Sequence, residues 1–148
     1  MLSPHAESPA VRKSMQGNKG KNTKPELIAR KLLCAAGYRG YRLQWKKAPG
    51  KPDIAYPGRK IAIFVNGCFW HRCPKCNLPI PKTNPEYWTE KFRRNVQRDQ
   101  AKVSELEDAG WRVLTIWECE LKEADRANDT SYSFISLVDN LMDSTLDN

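Results

Sequence analysis

The sequence predicts a single α/β domain in which a mixed β-sheet is flanked by helices. Apolar segments of strand length alternate with segments of helical periodicity, in the order α-β-β-β-α-β-α. The length of 148 residues suits one domain with a sizeable core. The chain has no apolar run of about 18 residues, and its N-terminus lacks the apolar region of a secretory signal. We therefore expect a cytoplasmic protein without a membrane partner.

The first helix is predicted to begin after Thr23, which can cap it. Pro25 suits the first turn, Glu26 is placed as the acid of a capping box, and Gly37 ends the helix. Cys34 is interpreted as a small core residue. The apolar face of this helix is expected to consist of Leu27, Ile28, Leu32, Leu33 and Ala35.

Three strands are predicted next. Residues 38–45 end in an alternation of apolar and polar side chains, which is typical of a half-buried strand. Residues 53–56 and 60–66 are expected to pair as a hairpin across a tight Pro-Gly turn. This arrangement places Asp53 at the start of the hairpin.

The second half of the chain begins with residues 67–83, which are rich in cysteine and proline and are predicted to form a loop. A long charged helix at 85–109 and a strand at 111–117 follow. Residues 121–127 are expected to make a turn of helix, and a final acidic amphipathic helix is predicted at about 131–146. The loop at 67–83 is long for a compact domain, so we expect an interaction that fixes its position.

Positive charge is concentrated in the first 116 residues. They hold 23 basic and 9 acidic side chains, whereas residues 117–148 hold 2 basic and 8 acidic ones. A basic body favours a polyanion partner such as nucleic acid, although a basic surface that serves only solubility has the same composition. We divide the chain into a basic N-terminal arm at 1–22 and a domain at 23–148. The arm either becomes ordered on a phosphate backbone or has no role.

Four cysteines are placed to hold a metal ion. Cys73 and Cys76 form a Cys-x-x-Cys pair, Cys68 precedes them closely, and Cys119 follows the last predicted strand. Four thiolates complete the tetrahedral shell of a structural Zn²⁺, which would tie the long loop to the end of that strand. The alternatives are a redox pair, which the absence of a βαβ setting disfavours, and cysteines that only fill space.

Asp53 follows a proline at the start of a strand and matches one half of the nuclease pattern Pro-Asp…(Asp/Glu)-x-Lys, in which the aspartate binds Mg²⁺. The second half is missing, because residues 64–66 are Phe-Val-Asn. Other side chains must therefore complete the site. Glu26 can reach an ion through water, His71 can act as a general base, and Asp99 can orient that histidine.

These candidates also have structural interpretations. Glu26 can serve only as a helix cap, and His71 can be a zinc ligand. Asp99 can pair with Arg98 or Lys102 on a solvated helix face.

Aromatic side chains surround the predicted cysteine loop. Phe69 and Trp70 directly follow Cys68, and Trp88 lies near the start of the long helix. Rings on an anchored loop can insert between base pairs, or they can form a hydrophobic cluster around the metal. The tryptophans that lie in strand patterns are predicted to be core residues, namely Trp45, Trp111 and Trp117.

Several of these residues belong to motifs that occur in a defined order between about Arg12 and Cys119. The motifs are Pro52-Asp53, Asn66-Gly67-Cys68-Phe69-Trp70-His71, Tyr87-Trp88, Asn95-x-x-Arg98-Asp99, Gly110-Trp111-Arg112-Val113-Leu114 and Trp117-Glu118-Cys119. Their order and the rare string Gly-Cys-Phe-Trp-His closely resemble those of the very-short-patch repair DNA mismatch endonucleases. The resemblance implies a restriction-endonuclease-like fold and a bacterial enzyme that nicks DNA beside the thymine of a T:G mismatch.

The resemblance also implies a role for each site residue. Asp53 and the backbone carbonyl of Val65 would bind Mg²⁺, with Glu26 in contact through water. His71 would activate the attacking water, supported by Asp99. The structural zinc shell would be Cys68, Cys73, Cys76 and Cys119, and the rings inserted beside the mismatch would be Phe69, Trp70 and Trp88. The N-terminal arm would close over DNA.

Two positions depart from the family pattern. Asn66 stands where some members have a histidine, so the mechanism has one histidine base rather than two. The zinc shell is all cysteine, where some relatives use a histidine ligand. The implied partners are double-stranded DNA with a T:G mismatch and downstream mismatch-repair proteins, in the bacterial nucleoid. A monomer is expected, because an asymmetric lesion does not require a symmetric enzyme.

Two other functions remain open from the sequence. One is a nuclease of the same fold that acts on other DNA, for example in defence. The other is a zinc-stabilised DNA-binding module without catalysis, which gives no reason for the catalytic candidates to occur together.

Overall fold

A computed structural model of the chain describes residues 22–127 and 133–146. The predicted N-terminal arm, apart from its last residue, lies outside the described residues. Within the described ranges, no helix combines the length and the apolar character that crossing a membrane requires.

Five helices and four strands make up the described part of the chain. In chain order they are α1 (Lys24–Ala35), β1 (Arg42–Leu43), β2 (Ile54–Tyr56), β3 (Ile61–Asn66), α2 (Cys68–His71), α3 (Pro85–Asp108), β4 (Arg112–Trp117), α4 (Glu118–Ala127) and α5 (Ser133–Leu146). A 3₁₀ turn at Pro57–Arg59 joins β2 to β3. Each segment predicted as a helix or strand contains one, although several bounds differ.

The sheet is mixed, as predicted, with the strand order β1-β2-β3-β4. β2 pairs with both β1 and β3 in antiparallel fashion, which confirms the hairpin, and β3 pairs with β4 in parallel, with Val65 opposite Ile116. All six residues of β3 are buried. Its unbroken apolar sequence follows from this position, because helices cover both faces of the sheet.

Two hydrophobic clusters lie on opposite faces of the sheet. The larger cluster packs α1, α4 and α5 against one face and includes Ile61, Ile63 and Val65 of β3. The smaller cluster lies under α3 and includes Ala62 and Phe64, which point the other way because side chains alternate along a strand. The carboxyl end of β3 is thereby fixed between α1 and α3.

α1 begins at its predicted cap, but part of its predicted apolar face is wrong. Thr23 Oγ1 accepts a hydrogen bond from the Glu26 backbone N–H at 3.4 Å. Leu27 is 51% exposed and Ala35 is exposed. Because helical residues advance by about 100° each, Leu27 points about 160° away from the buried Ala29. Glu26 is buried instead, with 3% exposure, which brings a carboxylate into the interior.

Two further predictions about elements are wrong. Of the strand predicted at 38–45, only Arg42–Leu43 pairs with β2, because β2 has three residues and Gln44 leaves the strand with a φ of 46°. The loop predicted at 67–83 begins with the helical turn α2. A helix of four residues is too short to show periodicity in the sequence.

The tryptophans predicted as core residues are half-buried rather than buried. Trp45 and Trp111 pack against each other beside the smaller cluster, with ring centroids 5.9 Å apart, and Trp117 is half-buried at the end of β4. Cys34 is likewise half-buried, with its sulfur 3.5 Å from the Tyr41 hydroxyl.

Candidate functional site

A cleft of about 390 Å³ opens at the carboxyl end of β3. Its walls come from the start of α1, the loop before β2, the end of β3, α2 and α3. The residues predicted to bind Mg²⁺ or to act in catalysis all line it, namely Glu26, Asp53, Val65, His71 and Asp99. The fold therefore brings these residues together, although each comes from a different element.

Asp53 and Glu26 approach each other across the side chain of Gln44. Gln44 Nε2 lies 3.3 Å from Asp53 Oδ1 and 3.5 Å from both carboxylate oxygens of Glu26. Asp53 Oδ2 accepts a hydrogen bond from the Val65 N–H at 2.8 Å. Because the N–H and C=O of one strand residue point to the same side, the Val65 carbonyl is directed toward the Asp53 edge of the strand.

Both carboxyl groups lie in surroundings that disfavour their charge. Burial raises the pKa of Asp53, although hydrogen bonds from Val65 and Gln44 oppose this effect. Burial and the nearby negative charge of Asp53 raise the pKa of Glu26, which also accepts a hydrogen bond from the Asn22 N–H at 2.6 Å. Two crowded carboxylates beside a backbone carbonyl form an oxygen donor set that fits a hard divalent cation such as Mg²⁺.

His71 and Asp99 form a hydrogen-bonded pair on the other wall of the cleft. His71 Nδ1 lies 2.5 Å from Asp99 Oδ2, and both side chains are partly exposed. An ionised carboxylate can only accept, so Nδ1 carries a proton, and in the neutral imidazole Nε2 then has the lone pair. The partner of Asp99 is therefore His71 rather than a cation of its own helix, and the pair can take a proton from a water in the cleft.

The four predicted zinc ligands meet in one cluster. The sulfur atoms of Cys68, Cys73, Cys76 and Cys119 all lie within 4.8 Å of one another, and those of Cys73 and Cys119 are 3.8 Å apart. Sulfurs at about 2.3 Å from a tetrahedral Zn²⁺ are about 3.8 Å from each other. The cluster joins the segment after α2 to the start of α4, and the geometry fits a closed four-sulfur metal site that does not include His71.

The surroundings of these thiols disfavour ionisation of most of them when no cation is bound. Burial raises the pKa of the Cys68 thiol, and burial raises that of Cys119 to about 11. Against burial, the backbone N–H groups of Cys76 and Lys75 lower the pKa of Cys73. Four thiols this close cannot all ionise without a cation between them.

Side chains from other elements hold α2 in place. Its N-cap, Gly67, has no side chain, and Glu118 Oε1 instead accepts a hydrogen bond from the first N–H of α2 at 3.3 Å. Asn95 Nδ2 donates to the Trp70 carbonyl at 3.1 Å. The short helix Cys68–His71 thus presents a candidate metal ligand, two aromatic rings and a histidine from one fixed turn.

Aromatic rings from α2 and α3 pack into one cluster. The Phe69 ring lies 5.1, 5.9 and 5.2 Å from those of Trp70, Trp88 and Phe92, measured between centroids. Phe69 and Trp70 are half-buried and line the cleft, whereas Trp88 is 3% and Phe92 4% exposed. Trp88 therefore lies beneath the two half-buried rings, although the sequence prediction places it beside them.

Sequence reasoning missed three side chains that contact the site: Gln44, Lys102 and Glu118. Lys102 lines the cleft one helical turn after Asp99, and this spacing is a signal that could have found it. Glu118 precedes the zinc-ligand candidate Cys119. The position of Gln44 depends on its left-handed backbone, which no sequence pattern marks.

Comparison with known proteins decides the family. The family described as DNA mismatch endonuclease Vsr matches residues 6–78. The DNA mismatch endonuclease Vsr of Escherichia coli (strain K12) is 36% identical over 117 residues, which cover 79% of this chain and 74% of that protein. The chain belongs to the Vsr family.

Other relatives are named as nicking enzymes. Type II nicking enzyme V.XorIIP of Xanthomonas oryzae pv. oryzae is 46% identical over 110 residues, covering 74% of this chain and 79% of that protein. Type II nicking enzyme V.NaeI of Lentzea aerocolonigenes is 46% identical over 113 residues, covering 73% of this chain and 67% of that protein. The predicted family, its restriction-endonuclease-like fold and endonuclease activity are confirmed.

Proposed function

We propose that this Vsr-family endonuclease recognises T:G mismatches in double-stranded DNA and nicks the thymine strand in a Mg²⁺-dependent reaction, as in very-short-patch repair. One observation carries the proposal. The Asp53–Glu26 pair and the His71–Asp99 pair face the same cleft, and the half-buried rings of α2 border it.

The side of the cleft that carries Asp53 and Glu26 binds the metal in this proposal. Asp53 and the Val65 carbonyl would hold Mg²⁺, and Glu26 would contact it through water. When bound, Mg²⁺ supplies positive charge to the scissile phosphate and lowers the pKa of water. Gln44 keeps the two carboxylates at a fixed separation, since its amide lies within 3.5 Å of both.

The His71–Asp99 pair, on the other wall of the cleft, takes part in proton transfer. Asp99 holds the proton of His71 on Nδ1, so Nε2 accepts a proton from the attacking water. One histidine is sufficient for this step, which agrees with Asn66 at the position where some members have a second one. Asp99 also stabilises the imidazolium that forms.

The aromatic rings provide mismatch selectivity. Phe69 and Trp70 insert next to the mispaired step, because such a step costs less to unstack than a Watson–Crick step. In the free protein, Trp88 is 3% exposed and packs beneath Phe69 and Trp70. After these two rings move apart on the DNA, Trp88 also contacts the mispaired step.

The four-cysteine cluster holds a structural Zn²⁺. All four positions are filled by protein sulfur, so no position is left for a substrate. The metal fixes α2 against α4 and thereby holds the rings and His71 at the cleft.

The wider setting follows from this function. We propose a monomeric enzyme in the bacterial cytoplasm, associated with the nucleoid, whose nick is passed to downstream mismatch-repair proteins. Its basic N-terminal arm would close over the DNA.

A second function has support from the relatives. Those at 46% identity are named type II nicking enzymes, and the one named as a mismatch endonuclease is 36% identical. A Vsr-family enzyme that nicks a defined duplex sequence without a mismatch is therefore the alternative.

Single-turnover nicking of labelled duplexes tests both functions. One duplex carries a single T:G pair and its control carries T:A, each with Mg²⁺ or EDTA. We expect a Mg²⁺-dependent nick on the thymine strand of the first duplex only, and none from Asp53→Ala. Equal cutting of both duplexes would remove the mismatch specificity and favour the alternative. A library with randomised flanks identifies the preferred context in either case.

A further inference from the structure

Lys102 supplies the cleft with a positive charge that the strand sequence lacks. In the nuclease pattern, a lysine lies on the strand that follows Pro-Asp, but residues 64–66 of this chain are Phe-Val-Asn. Lys102 lies instead on α3, one helical turn after Asp99, and lines the same cleft as Asp53 and His71.

The ammonium group of Lys102 lies near one ring of the cleft, and its charge reaches one carboxylate there. Its Nζ lies 6.0 Å from the centroid of the Phe64 ring, and its charge acts on the Asp53 carboxylate through space. No carboxylate among residues 22–127 and 133–146 forms an ion pair with Lys102. The charge is therefore available to an anion in the cleft.

The stem of Lys102 is held by the loop before β2. Gly50 has a φ of 74°, and a Cβ built on it would lie 2.8 Å from Lys102 Cβ and 2.9 Å from Lys102 Cγ. Such an approach is possible only for glycine. The loop backbone thus lies directly on the stem of Lys102, and this contact limits the rotamers from which Nζ can reach the cleft.

We propose that Lys102 binds a non-bridging oxygen of the scissile phosphate and stabilises the charge that develops there during hydrolysis. The inference rests on the endonuclease activity of the family and not on mismatch specificity. It assigns to α3 the role that the missing strand lysine would have.

The role of Lys102 is electrostatic, and its proton stays on Nζ. In the hydrolysis, the water oxygen forms a bond to phosphorus and its proton passes to His71 Nε2. The bond from phosphorus to the leaving oxygen breaks, its electron pair stays on that oxygen, and a proton from solvent neutralises it. Lys102 interacts throughout with an oxygen that remains on phosphorus.

Lys51 also lines the cleft, but the structure favours Lys102. Lys51 is exposed, whereas Lys102 is half-buried and fixed by Gly50. Among the lysines, Lys102 is the one whose charge lowers the pKa of Asp53 most.

The test compares Lys102→Met, which keeps the aliphatic stem, with Lys102→Arg, which keeps the charge. The control is Lys47→Met, which removes one charge from an exposed position of the loop before β2 that does not line the cleft. At saturating enzyme, Lys102→Met should lower the single-turnover nicking rate about 10²-fold, the typical effect of losing one donor to a developing oxyanion. Lys102→Arg should recover most of the rate, and Lys47→Met should leave it unchanged. Equal rates for Lys102→Met and the control would overturn the proposal.

A binding measurement separates the phosphate contact from general attraction to DNA. The scissile position is first mapped on whichever duplex the wild-type protein cuts, mismatched or not. A neutral methylphosphonate is then placed there, and affinity is measured with Ca²⁺ in place of Mg²⁺. The methylphosphonate should weaken binding by the wild-type protein severalfold more than binding by Lys102→Met. The same loss for both proteins would show that Lys102 does not contact this phosphate. Failure of mismatch specificity would appear separately, as equal cutting of T:G and T:A duplexes.

Discussion

Asp53 is catalytic in the proposed function, and its buried carboxylate also destabilises the fold. Burial raises its pKa, so the charged form is less favourable in the folded protein than in the unfolded chain. Asp53→Asn should therefore leave the Tm of the metal-free protein equal or higher, while nicking falls at least about 10³-fold because a metal ligand is lost. Mg²⁺ should raise the Tm of the wild type only. Asp125→Asn, which removes a surface partner of Lys31, is the control and should retain activity.

The difference in Tm between Asp53→Asn and the metal-free wild type should change with pH in one direction. An acid with a raised folded-state pKa stabilises the fold when protonated, and this contribution is lost as the pH rises through the raised value. The advantage in Tm of Asp53→Asn over the metal-free wild type should therefore be largest near neutral pH and should shrink as the pH falls toward 4. An advantage that grows on acidification would contradict burial as the dominant influence on Asp53.

In the proposed mechanism, Asp99 acts through His71. The distance of 2.5 Å between Asp99 Oδ2 and His71 Nδ1 fixes the tautomer in which Nε2 can accept a proton. Asp99→Asn allows the opposite tautomer, because the amide can donate to Nδ1. We expect the single-turnover nicking rate to fall about 10²-fold or more, with the DNA dissociation constant changed less than about threefold. A matched loss of rate and affinity would instead indicate that Asp99 only maintains the fold.

The helical turn α2 depends on elements distant in sequence. The four-cysteine cluster attaches the chain after α2 to α4, and Glu118 caps its first N–H. Cys119→Ser should yield protein without zinc, with a free energy of unfolding lower by more than about 3 kcal/mol and little nicking. Cys34→Ser should retain zinc and stability, because a hydroxyl can keep the contact with Tyr41. Metal content by mass spectrometry, together with denaturant unfolding, makes this comparison. Wild-type protein that contains no zinc, yet unfolds at the same midpoint as Cys119→Ser, would refute a structural metal site.

The aromatic cluster of α2 and α3 separates into an upper and a lower layer. Trp70→Ala removes a half-buried ring and should raise the Kd for a T:G duplex about tenfold, with a smaller effect on T:A, since stacking contributes about 1–3 kcal/mol per base. Trp88→Ala removes a buried ring and should lower the free energy of unfolding by about 3–5 kcal/mol. Fluorescence anisotropy and denaturant unfolding measure the two effects. If Trp70→Ala destabilised the protein as much as Trp88→Ala, the two layers would not be distinct.

An element was predictable where local sequence patterns determine it, and was not predictable where contacts between distant segments determine it. β3 and α3 were predictable because a buried apolar run and a long periodic helix are local patterns. The grouping of the cysteines, His71 and Asp99 followed from motif spacing and from the family resemblance. α2 and the inward side chain of Glu26 were not predictable, since both depend on packing between elements distant in sequence. The same holds for Gln44, whose side chain reaches two carboxylates from a backbone conformation that glutamine rarely adopts.

Across the whole molecule, the excess of positive charge belongs to the first 116 residues. The net charge of +8 combines a basic body with an acidic C-terminal part. Lys51 and Lys102 line the cleft, whereas the two helices that follow β4 carry more acidic than basic side chains. In the proposed function, the positive charge of the body attracts the phosphates of DNA.

The two parts of DNA recognition should respond differently to salt. Attraction of the basic body to phosphates releases counterions, so log Kd should change with log salt concentration with a slope of magnitude about 4–6, corresponding to about five to seven phosphate contacts. This slope should be the same for T:G and T:A duplexes, since both present the same phosphates. In the proposed function, the ratio of the two Kd values comes from ring insertion at the mispaired step, so this ratio should stay constant as salt increases. Titrations with Ca²⁺ between about 50 and 200 mM salt measure both quantities. A ratio that falls with salt would mean that mismatch recognition depends on extra phosphate contacts rather than on Phe69 and Trp70.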